Sequence, residues 1–119
     1  MANRNKEKGS RLEMAVVKKA QSYGMTANRI PYSGALANWK GDVEIYHQRV
    51  GKLVGECKVK KSGFKFLYDS LGPHDVLIVH EVNPENGKCN LPHIKSTAKP
   101  MLAVLTLDRF LELLVKEQS

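Results

Sequence analysis

Apolar residues recur at helical spacing from Leu12 onward. Leu12, Ala15, Val16, Ala20 and Tyr23 fall on one face. Ser10-Arg11-Leu12-Glu13 has the spacing of a capping box, so the helix is expected to begin at Ser10, and Gly24 is placed to end it. Met25 to Ile30 reads as a first strand, which Pro31-Tyr32-Ser33-Gly34 breaks; the segment on to Gly41 reads as a long loop. Val43 and Ile45 then alternate with Asp42, Glu44 and Tyr46, the pattern of a half-buried strand. His47 to Lys52 makes a turn. In the strand that follows, Leu53, Gly55, Cys57 and Val59 take one face, and Val54, Glu56, Lys58 and Lys60 the other.

Phe64, Leu67, Tyr68 and Leu71 mark a short amphipathic helix stopped by Gly72-Pro73. Val76-Leu77-Ile78-Val79 is apolar without interruption, as in a central strand covered on both faces. Residues 83–90 carry Pro84 and Asn86-Gly87 and read as a turn or exposed loop, while Cys89 to Lys99 fits no element. Met101 to Leu105 reads as a last strand. Thr106 can cap a final helix whose inner face holds Leu107, Phe110, Leu111, Leu114 and Val115. Strands interleaved with helices predict an α/β fold: a single domain with a mixed central sheet flanked by helices.

The 119 residues set the expected domain count at one, spanning 1–119, with the polar, basic residues 1–9 as a flexible arm. Lys and Arg outnumber Asp and Glu 19 to 12, a formal charge of +7 that favours a polyanion, nucleic acid before membrane. There is no long apolar run, no basic amphipathic helix with a wide apolar face, and no apolar stretch after Met1 of the secretory kind. With only Cys57 and Cys89, the expected setting is the cytoplasm, a host's if the source is viral, without disulfides. Cys89-x-x-x-His93, with His74 and His80 upstream, gives one loose pair where structural zinc wants two close ones, so no zinc is expected.

The candidate chemistry lies in the middle of the chain. If the strands around Val43 and Val54 pair as a hairpin, Asp42 and Glu56 stand near each other on one face, and Lys58 follows Glu56 on it. Two carboxylates and a lysine can hold a hard cation and a water beside a phosphodiester. Mg²⁺ fits first and Mn²⁺ as a substitute. Asp42 and Glu56 would bind the metal, with the Cys57 backbone carbonyl as a third donor. Lys58 would orient the attacking water and steady developing charge. Glu13 would reach in from the first helix, to the metal directly or through water.

An acid on a helix, then Gly41-Asp42, then Glu56-Cys57-Lys58 resembles the PD-(D/E)XK nuclease superfamily. Lys8-Gly9-Ser10 opening the helix of Glu13, then Arg29 and Pro31-Tyr32-Ser33-Gly34, make the chain similar to the archaeal-type Holliday junction resolvases and their phage relatives. The likeness runs from about residue 6 to the helix after Lys61, and more loosely beyond. It implies a restriction-endonuclease-like fold and structure-selective, metal-dependent nicking of four-way DNA junctions. It also implies a homodimer that makes two matched nicks, and a contact from Ser33 to the scissile phosphate or a metal-bound water. The chain departs from the pattern at Gly41, where proline is expected, and in the long Ser33-to-Asp42 spacing.

Plainer roles compete. Glu13 can close the capping box with Ser10, Asp42 can be a strand-entry turn residue, and Ser33 a loop residue. Glu56 and Lys58 can be a surface pair contributing roughly some tenths of a kcal/mol. Arg4, Lys6, Lys8 and Arg11 at the helix start, and Arg29, Lys40, Lys60 and Lys61 around the site, are the candidates for phosphate contacts. Tyr32 and Trp39 are candidates for stacking on an unpaired base, or for core packing. A related endonuclease acting on other DNA, or a non-catalytic DNA-binding module, are the competing functions.

Overall fold

The computed structural model describes residues 4–30, 41–81 and 99–118. Their elements, in chain order, are α1 (Arg4–Ser22), β1 (Thr26–Arg29), β2 (Val43–His47), β3 (Gly51–Gly55), α2 (Lys65–Leu71), β4 (Leu77–Val79), β5 (Leu102–Val104) and α3 (Leu107–Gln118). The chain divides into two compact units, Met1–Lys61 with Asp108–Ser119, and Ser62–Leu107. Among the described residues no helix is long and apolar enough to cross a membrane.

In the first unit β1, β2 and β3 form an antiparallel sheet in that order, with Ala27 opposite Ile45 and Ile45 opposite Leu53. The alternation along β2 sorts as its pattern predicts. Val43, Ile45 and His47 are buried, while Glu44 is half-buried and Tyr46 exposed. The core is completed by Val17 and Ala20 of α1, by Met25 and Ala27, and by Leu111 of α3, which has no exposed surface. Asp108 at the start of α3 accepts from Lys19 Nζ (3.0 Å) and from the Tyr23 hydroxyl (3.0 Å). These hydrogen bonds, Lys19's first, hold the Asp108 carboxyl below its usual range and tie α3 to α1.

His47 closes β2 rather than opening a turn. Its Nδ1 accepts from the N–H groups of Arg49 (3.1 Å) and Val50 (3.0 Å), which leaves Nε2 to donate to the Leu114 carbonyl of α3 at 3.1 Å. One neutral tautomer therefore serves both the hairpin turn and the helix. His47→Ala strands all three partners and opens a void at a buried position. Denaturant unfolding is expected to show a loss of about 2–4 kcal/mol. A loss within about 0.5 kcal/mol, the range of ordinary surface changes, would mean that this latch contributes nothing.

In the second unit Leu77, Ile78 and Val79 of β4 pair antiparallel with Val104, Ala103 and Leu102 of β5. One face of this two-stranded sheet turns toward α2. Phe64, Leu67, Leu71, Val104 and Leu105 line an apolar cavity of about 370 Å³ there.

Two expectations are corrected. Helix α1 begins at Arg4, so Arg4 to Gly9 are helical and Ser10 lies inside the helix and caps nothing. The strand expected to run from Leu53 to Lys60 stops at Gly55, because Asp42 takes the next available N–H with its side chain. Of the expected α/β fold the described residues show three helices, a three-stranded antiparallel sheet and a two-stranded antiparallel one.

Candidate active site

The geometry of Asp42 is set by backbone on both sides. Its N–H donates to the Gly55 carbonyl at 2.8 Å, and its own carbonyl accepts from Ile30 N–H at 2.9 Å. The residue is thus held between β1 and β3, one step beyond the ordered ladder. Its carboxylate accepts the Cys57 N–H at 2.7 Å through Oδ2, which turns the chain out of β3 at Glu56. Gly41 makes the approach possible. It is buried, its φ is +80°, and a Cβ there would meet Val54 Cγ1 and, at 3.3 Å, the Gly55 carbonyl oxygen.

Glu56 follows directly, and its carboxyl group hydrogen-bonds with that of Asp42. This bond, with the Asp42 charge and a smaller contribution from Glu13, pushes the Glu56 carboxyl above its usual range, while Lys58 pulls the other way. The half-buried Cys57 thiol feels the same field. Burial first, then Asp42, Glu13 and Glu56, push it up to about 11, so it stays a neutral thiol at physiological pH. Asp42, Glu56 and Lys58 are therefore brought together at the end of the β2–β3 ladder, although Glu56 and Lys58 lie past the strand rather than on it.

Glu13 stands apart from that contact. Its half-buried carboxylate accepts from Arg29 Nε at 3.1 Å, and Arg29 also donates to Ser10 Oγ at 3.1 Å. Arg29, a candidate for phosphate contact, braces α1 against β1 and orients Glu13. Arg11, Lys58, Lys60 and Lys61 are exposed. Arg4, Lys6 and Lys8 lie on the first turns of α1. Ser33, Lys40, Tyr32, Trp39, Cys89 and His93 fall outside the described residues. Glu44, next along the Asp42 face, accepts from the Tyr46 hydroxyl at 2.8 Å and lies 3.9 Å from Lys52.

Among the described residues no three His, Cys, Asp or Glu side chains gather closely enough to hold a metal between them. Two touching carboxylates are still a donor set for a hard cation. Mg²⁺ is commonly held by one or two carboxylates and keeps several waters, and a cation would replace the hydrogen bond to Asp42 and ease the Asp42 charge that together raise the Glu56 pKa. Protons compete for the same oxygens. As pH falls, Glu56 protonates earlier than an isolated glutamate, so divalent-metal affinity is expected to fall with a midpoint above the usual glutamate range. The sign for stability is the reverse. A raised carboxyl pKa means that the ionised pair costs stability above the folded-state pKa, and the cost disappears below the unfolded value. A carboxyl-carbon NMR titration checks this, and a Glu56 midpoint at or below that of a free glutamate would contradict the contact.

Comparison with protein-family models, curated proteins and solved structures finds no match to this chain.

Proposed function

We propose that the chain is a metal-dependent endonuclease that hydrolyses phosphodiester bonds in branched DNA, four-way junctions first among them. The observation that carries this reading is the contact between the Asp42 and Glu56 carboxyl groups beside Lys58. Two carboxyl groups held in contact, one of them fixed by backbone hydrogen bonds, are a place where a cation can replace the proton between them.

Asp42 and Glu56 would hold Mg²⁺, or Mn²⁺ in its place, with the Cys57 carbonyl as a further oxygen donor. When bound, the ion neutralises phosphate charge and acidifies a water. Asp42 is suited to this because three hydrogen bonds fix it before any ligand arrives. Lys58 supplies a mobile ammonium that can orient the attacking water and steady charge on the phosphate oxygens. Glu13 acts from farther out, held by Arg29. Ser33 is assigned to the phosphate by resemblance alone. Arg4, Lys6, Lys8, Arg11, Lys40, Lys60 and Lys61 would contact backbone phosphates without reading bases, in keeping with the net charge of +7. The reading carries with it a restriction-endonuclease-like core with one mixed sheet, of which the helices and antiparallel strands described above are a coarser outline. A four-way junction has approximate twofold symmetry, so two matched nicks call for two copies of the chain.

The test is incubation of the protein with labelled four-way, forked and linear duplex DNA, with and without Mg²⁺ or Mn²⁺, followed by mapping of the cuts. Symmetric paired nicks on the junction alone, dependent on metal, are expected. Equal cutting of all three substrates would move the assignment to a related nuclease acting on other DNA. Binding without cutting in either metal would end the hydrolytic reading.

A further inference from the structure

Arg29 ends β1 opposite Val43, one residue from Asp42, and the next N–H along, that of Ile30, bonds the Asp42 carbonyl. From there its guanidinium turns to α1, where Nε donates to Glu13 Oε1 at 3.1 Å and Nη2 to Ser10 Oγ at 3.1 Å. The two partners are unequally sheltered. The Glu13 side chain is 15% exposed and that of Arg29 42%. Among the described residues Nη1 meets no acceptor and Glu13 Oε2 no donor. Glu13 stands apart from the Asp42–Glu56 contact, yet its charge reaches it. The Glu56 carboxyl is raised chiefly by its hydrogen bond to Asp42, and the Cys57 thiol chiefly by burial, but Glu13 adds to both. A third carboxylate this close to the pair is unfavourable unless a positive group answers it. In the protein alone that group is Arg29.

We propose that Arg29 serves Glu13 and a DNA phosphate in turn. When a strand binds, a backbone phosphate draws the guanidinium off Glu13, and the freed carboxylate turns to the cation held by Asp42 and Glu56. Arg29 is thus a positioning residue that acts through Glu13. One ion pair, Arg29 with Glu13, gives way to two, Arg29 with phosphate and Glu13 with the cation, so no charge is left unanswered. Two features of the geometry favour exchange over a fixed brace. The hold on Glu13 is single, through Nε, while Nη2 donates to a neutral hydroxyl. A phosphate that takes two parallel N–H bonds from the same fork gains what the present pair lacks. Nη1, on a side chain well exposed to water, also lets a phosphate dock before Glu13 lets go. The inference rests on the metal-binding reading of Asp42 and Glu56. Its consequence is a cation site that is complete only with DNA in place, and linkage then requires metal and DNA to tighten each other's binding.

The experiment follows the carboxyl-carbon NMR signals of the full chain, with that of Glu13 identified by its absence in Glu13→Gln. Mg²⁺ without DNA should move the Asp42 and Glu56 signals and leave Glu13 in place. A four-way junction without metal should move Glu13. These two readings use the unaltered chain and do not depend on any variant folding. In Arg29→Gln, Mg²⁺ alone should move all three signals, and calorimetry should show it bound about tenfold tighter than by the native chain, within the roughly 5–150-fold usual for coupled sites. Removing a positive charge would tighten a cation by itself, so the same change is made in Glu13→Gln. There the tightening should vanish, because Arg29 acts through the carboxylate that is gone. A Glu13 signal that answers Mg²⁺ alone in the native chain, or ignores saturating DNA, overturns the inference. So does a tightening that persists in the Glu13→Gln background. Mg²⁺ that moves no carboxyl signal removes the metal-binding reading as well. Exchange as described in a chain that never cuts DNA removes only the nuclease; metal-dependent nicking with Glu13 indifferent to DNA removes only the exchange.

Discussion

Asp42→Asn is expected to lower metal-dependent cutting of a four-way junction at least ~10²–10³-fold, the size of loss seen when one preorganised electrostatic group is removed from a reacting site. DNA affinity should stay close to native, since the phosphate contacts come from other residues. The substitution separates charge from scaffold. Asparagine can still accept the Cys57 N–H that Asp42 Oδ2 accepts at 2.7 Å, so the turn out of β3 survives and the melting temperature should barely move. Asp42→Ala removes that acceptor as well and leaves the Cys57 N–H short of its partner. It should therefore lose stability by about 1 kcal/mol or more in addition to activity. Asp42→Asn has a second readout that no scaffold role would move. With the neighbouring charge gone, the Glu56 carboxyl should titrate lower than in the native chain, because Asp42 is the chief cause of its rise. Native cutting by Asp42→Asn would remove the metal-binding pair as drawn. An unchanged Glu56 titration would show that the two carboxyl groups do not meet in solution.

The parts of this molecule legible in the sequence are those fixed by local periodicity. The alternation of Val43 and Ile45 with Glu44 and Tyr46 gives the inward face of β2, and the helical spacing of Leu107, Leu111 and Leu114 gives the inward face of α3. What local pattern misses is decided by side chains that reach across the fold. Ser10 and Glu13 have capping-box spacing, yet both spend their hydrogen bonds on Arg29, which arrives from β1. Arg4 to Gly9 carry no apolar period, so nothing in them announces the helical turns they form. The end of β3 depends on Asp42 capturing Cys57 N–H from fifteen residues away, a bond between strands that no single-strand pattern contains. The candidate site divides the same way. The order of Asp42, Glu56 and Lys58 can be read directly, because a hairpin brings them together. The pairing of Arg29 with Glu13 cannot, since it needs the packing of α1 on β1. In β4 and β5 the apolar run states that two faces must be covered without stating by what.

Gly41→Ala is expected to cost about 1–3 kcal/mol of stability, the range for strained backbone at a functional site, and to reduce cutting by more than the unfolded fraction explains. Two penalties act at this position. The φ of +80° lies in the region that only glycine enters freely, and an added Cβ meets Val54 Cγ1 and the Gly55 carbonyl oxygen. The double variant Gly41→Ala with Val54→Ala tells them apart. It removes the side-chain clash but neither the φ penalty nor the approach to the Gly55 carbonyl, so it should recover stability only in part. Gly41→Pro should be worse than either, since the ring holds φ near −65°, far from the observed +80°. The proline that the resemblance leads one to expect here is thus incompatible with the turn this chain uses. The functional consequence follows from the next residue. Asp42 is placed by its N–H on Gly55 and its carbonyl on Ile30, and any rotation at Gly41 swings both bonds and the carboxylate with them. Hydrogen exchange at the Cys57 amide reports that movement independently of cutting, and should quicken in Gly41→Ala at temperatures where the variant is still folded. Native exchange and native cutting in that variant would mean that Asp42 takes its position from the sheet alone, and that the glycine serves only the fold.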